Sequence, residues 1–352
     1  MNGILNRFDA WLKDDGAAAL VIREWLVPVE GADGVVFPPT FAGGDGFEGG
    51  YNIDVFENDN VCLIDSVGSQ ANRIEPLFES GEYATLVPQI VVKAGEKRVN
   101  LLEAGHRAGD AVVRCTPLQA ELRAAFQASQ RGDAEPLARI APTSIVFGAW
   151  DSRDTQAKLP RLFASTIRAF GVRKLRRSAQ YIPALPYVEN QLLPEPADKA
   201  TADKYAERGF VHVPAAGSHG GVIADGGIRR DASLHLAVLR TLRGGGDRLV
   251  LQRYILGLAL TALTYQATGY LRQGCHLVAD GEKAREFKEV FVNGKRVHTS
   301  VTHAEALEYA KAAAEAFGVG KSREVEFVAD LVQEDISVGE AKKAKRAAKG
   351  KS

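Results

Sequence analysis

Residues 61–75, VCLIDSVGSQANRIE, pass from an apolar run directly into a polar one. The run Val61–Ile64 is long enough for a buried strand, and the polar run after it is expected to start a helix. A strand that turns at once into a helix leaves backbone N–H groups free at the helix N-terminus, where anions bind. The segment therefore predicts a cradle for a phosphodiester or a sugar, surrounded by Ser66, Ser69, Gln70, Asn72 and Arg73. The simpler alternative is N-capping by Ser66 or Ser69, which needs only one such residue.

The composition is that of an ordinary globular chain. Of its 352 residues, 45% are hydrophobic and 25% are charged, which is enough apolar material for a large core. Forty-four basic residues balance 44 acidic ones, so the overall charge indicates no class of partner. A nucleic-acid surface must therefore be sought in local clusters of charge.

Neither a targeting segment nor a membrane span is expected. The N-terminal stretch, MNGILNRFDAWLKDDG, contains acidic residues and no small-residue cleavage pattern. The most apolar window, 254–271, contains Thr, Gln and two glycines, and it predicts a buried helix. Cys62, Cys115 and Cys275 are odd in number and form no CxxC pair. We therefore expect a cytoplasmic protein without a disulfide framework or a zinc site.

Hydrophobic periodicity and turn residues predict strands and helices around a mixed sheet, in an α/β or α+β fold. The predicted strands are 19–29, 61–65, 87–93, 143–150 and 323–331, with a hairpin at 286–301 around Asn293-Gly294. The predicted helices are 4–12, 117–132, 159–171, 230–246, 248–271 and 304–318. Residues 31–50 and 181–230 are rich in Gly and Pro and are expected to be largely irregular.

Basic residues cluster between positions 153 and 177. Eight stand there against one acid, Asp154: Arg153, Lys158, Arg161, Arg168, Arg173, Lys174, Arg176 and Arg177. On a helix over 159–171, Lys158, Arg161 and Arg168 share one face and the apolar residues share the other. The pattern predicts a cationic ridge for phosphates, continued by the RKLRR run. A solvated helix face is the alternative, although such faces normally mix the two signs of charge.

Several familiar motifs are absent or misplaced. The sequence GVGKS at 318–322 lacks the first Gly of a P-loop and follows a helix, so it predicts a helix C-cap and a loop. The seven histidines include no HExxH motif. His212 and His219 lie in a Gly/Pro-rich segment without a carboxylate at ligand spacing, so solvated loop histidines are expected.

Several blocks in this order resemble the backbone subunit of the type I CRISPR interference complex, in the subtype I-G (formerly I-U) version, the Cas-seven family in its Csb-one form. The blocks are VFPPTF (36–41), LIDSVGSQANRIEP (63–76), TSIVFGAWDSR (143–153), KLPRLFASTIRAFGV (158–172) and, more loosely, FVHVPAAGSHG…RRDASLHLAVLR (210–240). EAGHR at 103–107 resembles a further block but carries an inserted Gly105, so no role is assigned to His106 or Arg107. The resemblance covers most of residues 20–280.

The resemblance implies an α+β fold, with an RRM-like (ferredoxin-like) palm of the RAMP superfamily and inserted finger and thumb elements. It implies one domain over 1–335 with a thumb-like insertion at about 181–230, followed by a basic tail over 336–352. Copies of the subunit polymerise along one CRISPR RNA and hold its sugar-phosphate backbone, so that the bases pair with target DNA. Other Cascade subunits and a recruited helicase-nuclease are the further implied partners. No cofactor, metal or catalytic residue is expected.

The residue types and the resemblance together select a set of expected RNA contacts. Backbone binding needs cations and hydrogen-bond donors, without a catalytic constellation. Arg229 and Arg230 are included because they are expected to close the thumb. The set is Ser66, Ser69, Gln70, Asn72, Arg73, Arg153, Lys158, Arg161, Arg168, Lys174, Arg176, Arg177, Arg229 and Arg230.

Two alternative functions remain open from the sequence. A metal-dependent ribonuclease of the same superfamily would use Asp65, Glu75 or Glu103, although phosphodiester hydrolysis usually gathers several metal-binding carboxylates. A small sugar-phosphate-binding protein would use the same cradle for a free ligand.

Overall fold

The computed structural model describes residues 2–267 and 269–337, which form a mixed α/β structure around a curled antiparallel sheet. The predicted basic tail lies, from residue 338 onward, outside the described residues. The strands are β1 (Ala19–Pro28), β2 (Thr40–Phe41), β3 (Gly50–Tyr51), β4 (Ile53–Phe56), β5 (Asp59–Asp65), β6 (Ile90–Ala94), β7 (Lys97–Asn100), β8 (Ala149–Trp150), β9 (Lys158–Leu159), β10 (Phe163–Phe170), β11 (Val172–Tyr181), β12 (Val213–Ala224), β13 (Ile228–Leu234), β14 (Tyr270–Arg272), β15 (Cys275–Ala279), β16 (Glu286–Val290), β17 (Arg296–His298) and β18 (Arg323–Glu326).

Most helices lie between these strands. The α-helices are α1 (Asn2–Leu5), α2 (Val67–Ile74), α3 (Ala111–Arg114), α4 (Gln119–Gln130), α5 (Glu135–Ile140), α6 (Pro142–Phe147), α7 (Lys199–Glu207), α8 (Leu236–Leu239), α9 (Arg248–Thr264) and α10 (His303–Phe317), followed by a helical segment over 329–337. The 3-10 helices are Asp9–Leu12, Glu75–Glu79, Gly81–Leu86, Leu101–Glu103 and Arg107–Gly109. Within the described residues, no helix is long and apolar enough to cross a membrane.

The large sheet has the strand order β14-β15-β1-β13-β10-β5-β4, and each strand is antiparallel to its neighbours. Strand β16 pairs with β1 along the edge that β15 also uses, and β17 pairs with β16. Strands β1 and β10 therefore run in the same direction on either side of β13. Strand β4 forms one edge of the sheet. The mixed sheet expected from the sequence is found only in the small group β18-β6-β7, where β18 is parallel to β6.

One face of the large sheet carries the hydrophobic core. Strand residues alternate between the two faces, and Leu20, Ile22 and Leu234 are fully buried on this one. They pack in a large cluster with the buried helices α9 and α10. At the other end of the sheet a second cluster gathers around Cys62, Ile167 and Leu277.

The sheet curls until its two ends meet. The Arg272 guanidinium of β14 donates a hydrogen bond of 3.0 Å to the backbone oxygen of Ile64 in β5. The second hydrophobic cluster fills the inside of this curl, and it contains residues of both strands. The curl thus brings the start of α2 close to β14.

A two-stranded arm leaves the sheet between β10 and β13. Strands β11 and β12 pair from Val172 opposite Ala224 out to Tyr181 opposite Val213. Val222 and Ala224 anchor the base of the arm in the second cluster. Residues 182–212, which we call the arm tip, join the two strands, carry α7 and include no buried residue. Only Val213 of the FVHV segment (210–213) lies in β12, and the partner strand β11 contains the RKLRR run.

Three predicted elements are wrong. Residues 159–171 form strand β10 rather than an amphipathic helix, because the segment completes the sheet between β5 and β13. Residues 143–150 begin as helix α6, with Pro142 in its first turn and Gly148 (φ 77°) at its end. Residues 228–234 form strand β13, so the helix predicted over 230–246 is reduced to the single turn α8.

Other predictions agree with the structure to within a few residues: the strands at 19–29 and 87–93, the strand and helix at 61–75, the helices at 117–132 and 304–318, and the hairpin around Asn293-Gly294. The helix predicted over 4–12 is split into α1 and a 3-10 helix, the helix predicted over 248–271 ends at Thr264, and the strand predicted over 323–331 ends at Glu326. Residues 213–224, which were expected to be irregular, form β12. Gly318 ends α10 in the left-handed conformation, as expected for a C-cap. The three cysteines are buried and free. His212 is exposed in the loop before β12, as expected, whereas His219 lies within β12 and its ring contacts Tyr51.

Candidate nucleic-acid interface

The polar stretch at the start of α2 is organised around the buried carboxylate of Asp65, which is 1% exposed. Asp65 accepts hydrogen bonds from Ser69 Oγ at 2.8 Å, Gln70 Nε2 at 2.7 Å and Arg73 Nε at 3.2 Å. Arg272 Nη2 adds a fourth at 3.0 Å, from β14. This Asp65 network accounts for three of the donors that the sequence assigned to a ligand.

The remaining polar residues of the stretch also have partners inside the protein. Ser66 caps α2, since its Oγ accepts from Ser69 N at 3.1 Å. The Asn72 side-chain oxygen accepts from Arg107 Nη2 at 3.3 Å. The simpler capping interpretation therefore holds for Ser66. The terminal nitrogens of Arg73 have no hydrogen-bond partner among the described residues and remain available to an anion.

A polar layer extends from the network into the sheet. Ser165 Oγ donates to Gln70 Oε1 at 2.9 Å and accepts from Arg230 Nε at 3.2 Å. Arg230 also pairs with Glu24 at 3.1 Å, and burial lowers its pKa from the ordinary value. The layer borders a cleft of about 490 Å³ between α2, the central strands and the segment after α9. The polar and aromatic residues lining the cleft include Gln70, Arg73, Arg230, Tyr265 and Tyr270.

The cationic ridge expected on a helix over 159–171 does not exist, because the segment is a strand. Lys158 lies on the short strand β9 with its ammonium 5.7 Å from the Trp150 ring. Arg161 donates to the backbone oxygen of Phe147 at 3.2 Å. Arg168 is exposed on β10, and Arg153 is exposed in the turn after β8. These four residues therefore do not share one helix face.

The RKLRR run instead places four cations along the first strand of the arm. Arg173 pairs with Asp225 at 2.6 Å, and the Arg177 guanidinium lies 5.5 Å from the Phe37 ring. Lys174 and Arg176 are exposed, and neither forms an ion pair within the described residues. The register of β11 on β12 shifts between these two residues, so both cations stand exposed at an irregularity of the pairing.

Arg229 and Arg230 do not close the thumb, because both lie in the central strand β13. Arg230 belongs to the buried polar layer. Arg229 pairs with Asp231 at 2.9 Å on the opposite face of the sheet. Its guanidinium lies 5.4 Å from the ring of Trp25 and 4.8 Å from that of Phe170. Neither aromatic residue is among the contacts expected from the sequence, although the alternation in strand 19–29 puts Arg23 and Trp25 on one face.

Each of the three carboxylates considered for a nuclease has different partners within the protein. Asp65 accepts four side-chain donors, and Glu103 caps its own 3-10 helix with Asn100. Glu75 forms a buried pair with Arg107 at 2.6 Å. Burial raises the pKa of Glu75 to about 7, although Arg107 opposes the shift. Among residues 2–267 and 269–337, no group of three or more His, Cys, Asp or Glu residues is placed to hold a metal ion.

Residues 20–174 match a family described as CRISPR-associated protein GSU0053. The match runs from β1 to the first residues of β11 and covers less than half of the chain. It indicates a CRISPR-associated (Cas) protein family and therefore suggests a CRISPR-associated function. No curated protein matches the chain.

Proposed function

We propose that the protein is the CRISPR RNA-binding backbone subunit of a type I Cascade complex, of the Cas-seven type in its Csb-one form and of subtype I-G. Copies of the subunit bind one guide RNA side by side and hold its sugar-phosphate chain, so that the bases pair with target DNA. The observation that carries the proposal is the cationic arm, with exposed Lys174 and Arg176, on a chain that matches a CRISPR-associated family. The other Cascade subunits, a recruited helicase-nuclease and a cytoplasmic location belong to the same proposal.

The strand order supports a ferredoxin-like palm of the RAMP superfamily. The order β15-β1-β13-β10 equals 4-1-3-2 for a β-α-β-β-α-β unit whose strands are β1, β10, β13 and β15. Helices α2–α6 lie between the first two of these strands, and α8 and α9 lie between the last two. In this assignment the arm is the thumb, inserted between the second and third strands of the unit.

The proposed chemistry is binding without cleavage. The two carboxylate oxygens of Asp65 accept hydrogen bonds from four donors, so a metal ion would have to displace those donors. RNA backbone binding requires only cations and hydrogen-bond donors. Incubating the protein with array RNA, with and without Mg²⁺, checks this point. We expect intact RNA in both samples, and Mg²⁺-dependent products would favour the ribonuclease.

Expression with and without a CRISPR array tests the proposed function itself. We expect the purified protein to carry array-derived RNA when the array is present, with a high ratio of absorbance at 260 nm to that at 280 nm. Sizing and sequencing of the bound RNA then give the guide. Protein that carries no array RNA when the other subunits are co-expressed would contradict the proposal.

The arm cations are expected to bind phosphates. We predict that Lys174→Ala together with Arg176→Ala weakens binding to unrelated RNA sequences alike. The slope of log affinity against log salt should fall by about 0.7 for each lost contact. The matched control removes one Lys and one Arg elsewhere, Lys97 and Arg131, which are exposed and lack ion pairs in the described part of the chain. An unchanged slope, or a loss limited to some sequences, would contradict phosphate binding by the arm.

The cleft beside α2 favours a second candidate, a small sugar phosphate bound by Arg73 and Gln70. Its volume of about 490 Å³ suits a ligand of this size. Equilibrium dialysis of RNA-free protein with ribose 5-phosphate and with inorganic phosphate separates the two functions. Saturable binding of ribose 5-phosphate that Arg73→Lys weakens would favour the small ligand.

A further inference from the structure

The large sheet has one face against which neither hydrophobic cluster packs. Trp25, Arg229, Arg168 and Leu63 lie opposite one another across β1, β13, β10 and β5, so their side chains share this face. Each of them is partly or fully exposed, whereas Leu20, Ile22 and Leu234 on the other face are fully buried. We call this surface the open face.

Aromatic rings and cations lie together on the open face. The Arg229 guanidinium lies near both Trp25 and Phe170, whose ring centroids are 6.3 Å apart. The Lys283 ammonium also lies over Trp25, 4.6 Å from the ring centroid. Two cations and two rings therefore form one cluster on this face.

The protein holds this arrangement in place before any ligand arrives. Asp231 accepts hydrogen bonds of 2.9 and 3.0 Å from Arg229, which fixes the plane of the guanidinium. The Trp25 ring packs against Gly227, where a Cβ would come within 3.0 Å of a ring carbon. Ordered rings and guanidinium planes lower the entropy cost of binding a flat ligand.

The protein neutralises the cations of the open face only in part. Arg168 forms no ion pair within the described residues, whereas the half-exposed Lys283 pairs with Asp280 at 3.4 Å. Arg23 and Arg229 both pair with Asp231, while Glu286 lies opposite Arg23 and Asp54 lies on the same face beyond Phe170. The part of the surface around Arg168 and the two rings is therefore suited to an anion that also offers flat, apolar rings.

Single-stranded nucleic acid has this chemistry. Its unpaired bases stack on aromatic rings and on guanidinium planes, and its phosphates bind Lys and Arg. A duplex hides the faces of its bases, and an acidic peptide offers the charge without the rings. A base can take the place of Lys283 on Trp25, after which the ammonium is free to bind a phosphate.

We propose that the open face binds single-stranded nucleic acid by stacking its bases on Trp25 and Phe170, independently of the β11–β12 arm. This surface goes beyond the holding of the guide backbone, since it takes the bases of an unpaired strand. Sequence preference is expected to be weak, because every base has a stacking face.

Tryptophan fluorescence tests the proposal directly. Trp150→Phe removes the exposed indole and leaves Trp25 together with Trp11, which is only 6% exposed. We expect oligo(dT) and oligo(U) of eight nucleotides to quench the emission of this protein, saturably, at low salt. The two oligonucleotides distinguish a DNA strand from an RNA strand. Emission that neither oligonucleotide changes would overturn the proposal.

Variants locate the site. Trp25→Leu is expected to weaken oligonucleotide binding at least about fivefold, measured by anisotropy of a labelled oligonucleotide. Because Trp25 is partly buried, Arg168→Glu provides a surface variant that leaves the core untouched, with an expected loss of about tenfold. Arg131→Glu is its control, and should bind like the parent protein. Equal binding by the Arg168→Glu and Arg131→Glu variants would overturn the proposal.

Two further measurements distinguish base stacking on the open face from binding at the arm and from simple charge attraction. The double variant Lys174→Ala, Arg176→Ala should leave quenching of Trp25 unchanged, even where it lowers the affinity for guide RNA. Quenching that disappears with the arm cations would show that no independent site exists. Polyglutamate should leave the emission unchanged. If polyglutamate quenches as strongly as oligo(U), binding is explained by charge alone and the base-stacking proposal is overturned. Failure here leaves the array experiment unaffected.

Discussion

Asp65→Ala is expected to lower the free energy of unfolding by about 3–5 kcal/mol, because it removes the only carboxylate that the described structure offers to Arg73 and Arg272. The side chain is 1% exposed, so the carboxylate and its hydrogen bonds are shielded from water. Ser69 and Gln70 would each lose a hydrogen-bond acceptor in the same variant. Urea denaturation followed by far-UV circular dichroism measures the change.

Two further substitutions define the origin of this loss. Asp54→Ala removes an exposed carboxylate from β4, the strand next to β5, and should change the stability by less than about 0.5 kcal/mol. Asp65→Asn keeps the size of the side chain but removes its charge, so it should fall between Asp65→Ala and the parent protein. If Asp65→Ala unfolds at the same urea concentration as Asp54→Ala, the Asp65 network does not stabilise the fold.

The second large effect is expected from shortening the arm. Replacing the tip, residues 182–212, by Asn-Gly joins Tyr181 directly to Val213, which already face each other as a strand pair. A two-residue Asn-Gly turn suits such a hairpin. Because the tip contains no buried residue, the melting temperature should stay close to that of the parent protein. The ordered arrays of subunits on guide RNA should be lost.

The reason lies in the surface that the tip exposes. Ile182 is 69% exposed, Leu192 is 58% exposed and Leu185 is 47% exposed. Such a group of apolar side chains fits contact with another protein surface, and in the proposed function that surface is the neighbouring copy. Electron microscopy of complexes assembled on array RNA gives the readout. Regularly spaced subunits in the shortened protein would contradict this role, while single copies should still bind RNA through Lys174 and Arg176.

The structure also determines which residues of the arm can be deleted without unfolding its base. The composition of 181–230 suggests a Gly- and Pro-rich loop that could be replaced from residue 212 onward. Residues 213–224 are instead strand β12, and Val222 and Ala224 lie in the core. Removing them would unfold the base of the arm. Composition predicts a loop here because the strand contains several glycines. Gly221 is needed where β12 packs closely against other backbone, since a Cβ there would lie 2.9 Å from the Val36 oxygen.

Local signals predicted the elements that depend on local structure. The apolar run before Ser66 and the capping serine were sufficient for β5 and α2. The segment 159–171 was wrong because Lys158, Arg161 and Arg168 happen to follow a helical period. What decides its conformation is pairing with β5 and β13, which lie about a hundred and about sixty residues away along the chain. No single-segment pattern contains that information.

The same limit applies to the candidate site. The sequence identified Ser69, Gln70 and Arg73 as a cluster of donors, but not the carboxylate to which they donate. Arg272, the fourth donor, lies 207 residues beyond Asp65 and meets it only because the sheet curls. Conversely, the strand alternation that exposes Trp25 was already present in residues 19–29. That part of the surface was predictable once the strand was assigned.

The position of β4 at the edge of the sheet has a consequence for solubility. Among the described strands β4 pairs only with β5, so its outer side offers unpaired backbone groups beside Val55 and Phe56, which are 74% and 59% exposed. Such edges invite aggregation by strand addition. Asp54, Glu57 and Asp59 surround them, and two such edges could meet only by bringing these acids together. Protection against amyloid-like pairing at this edge therefore depends on the repulsion between these carboxylates.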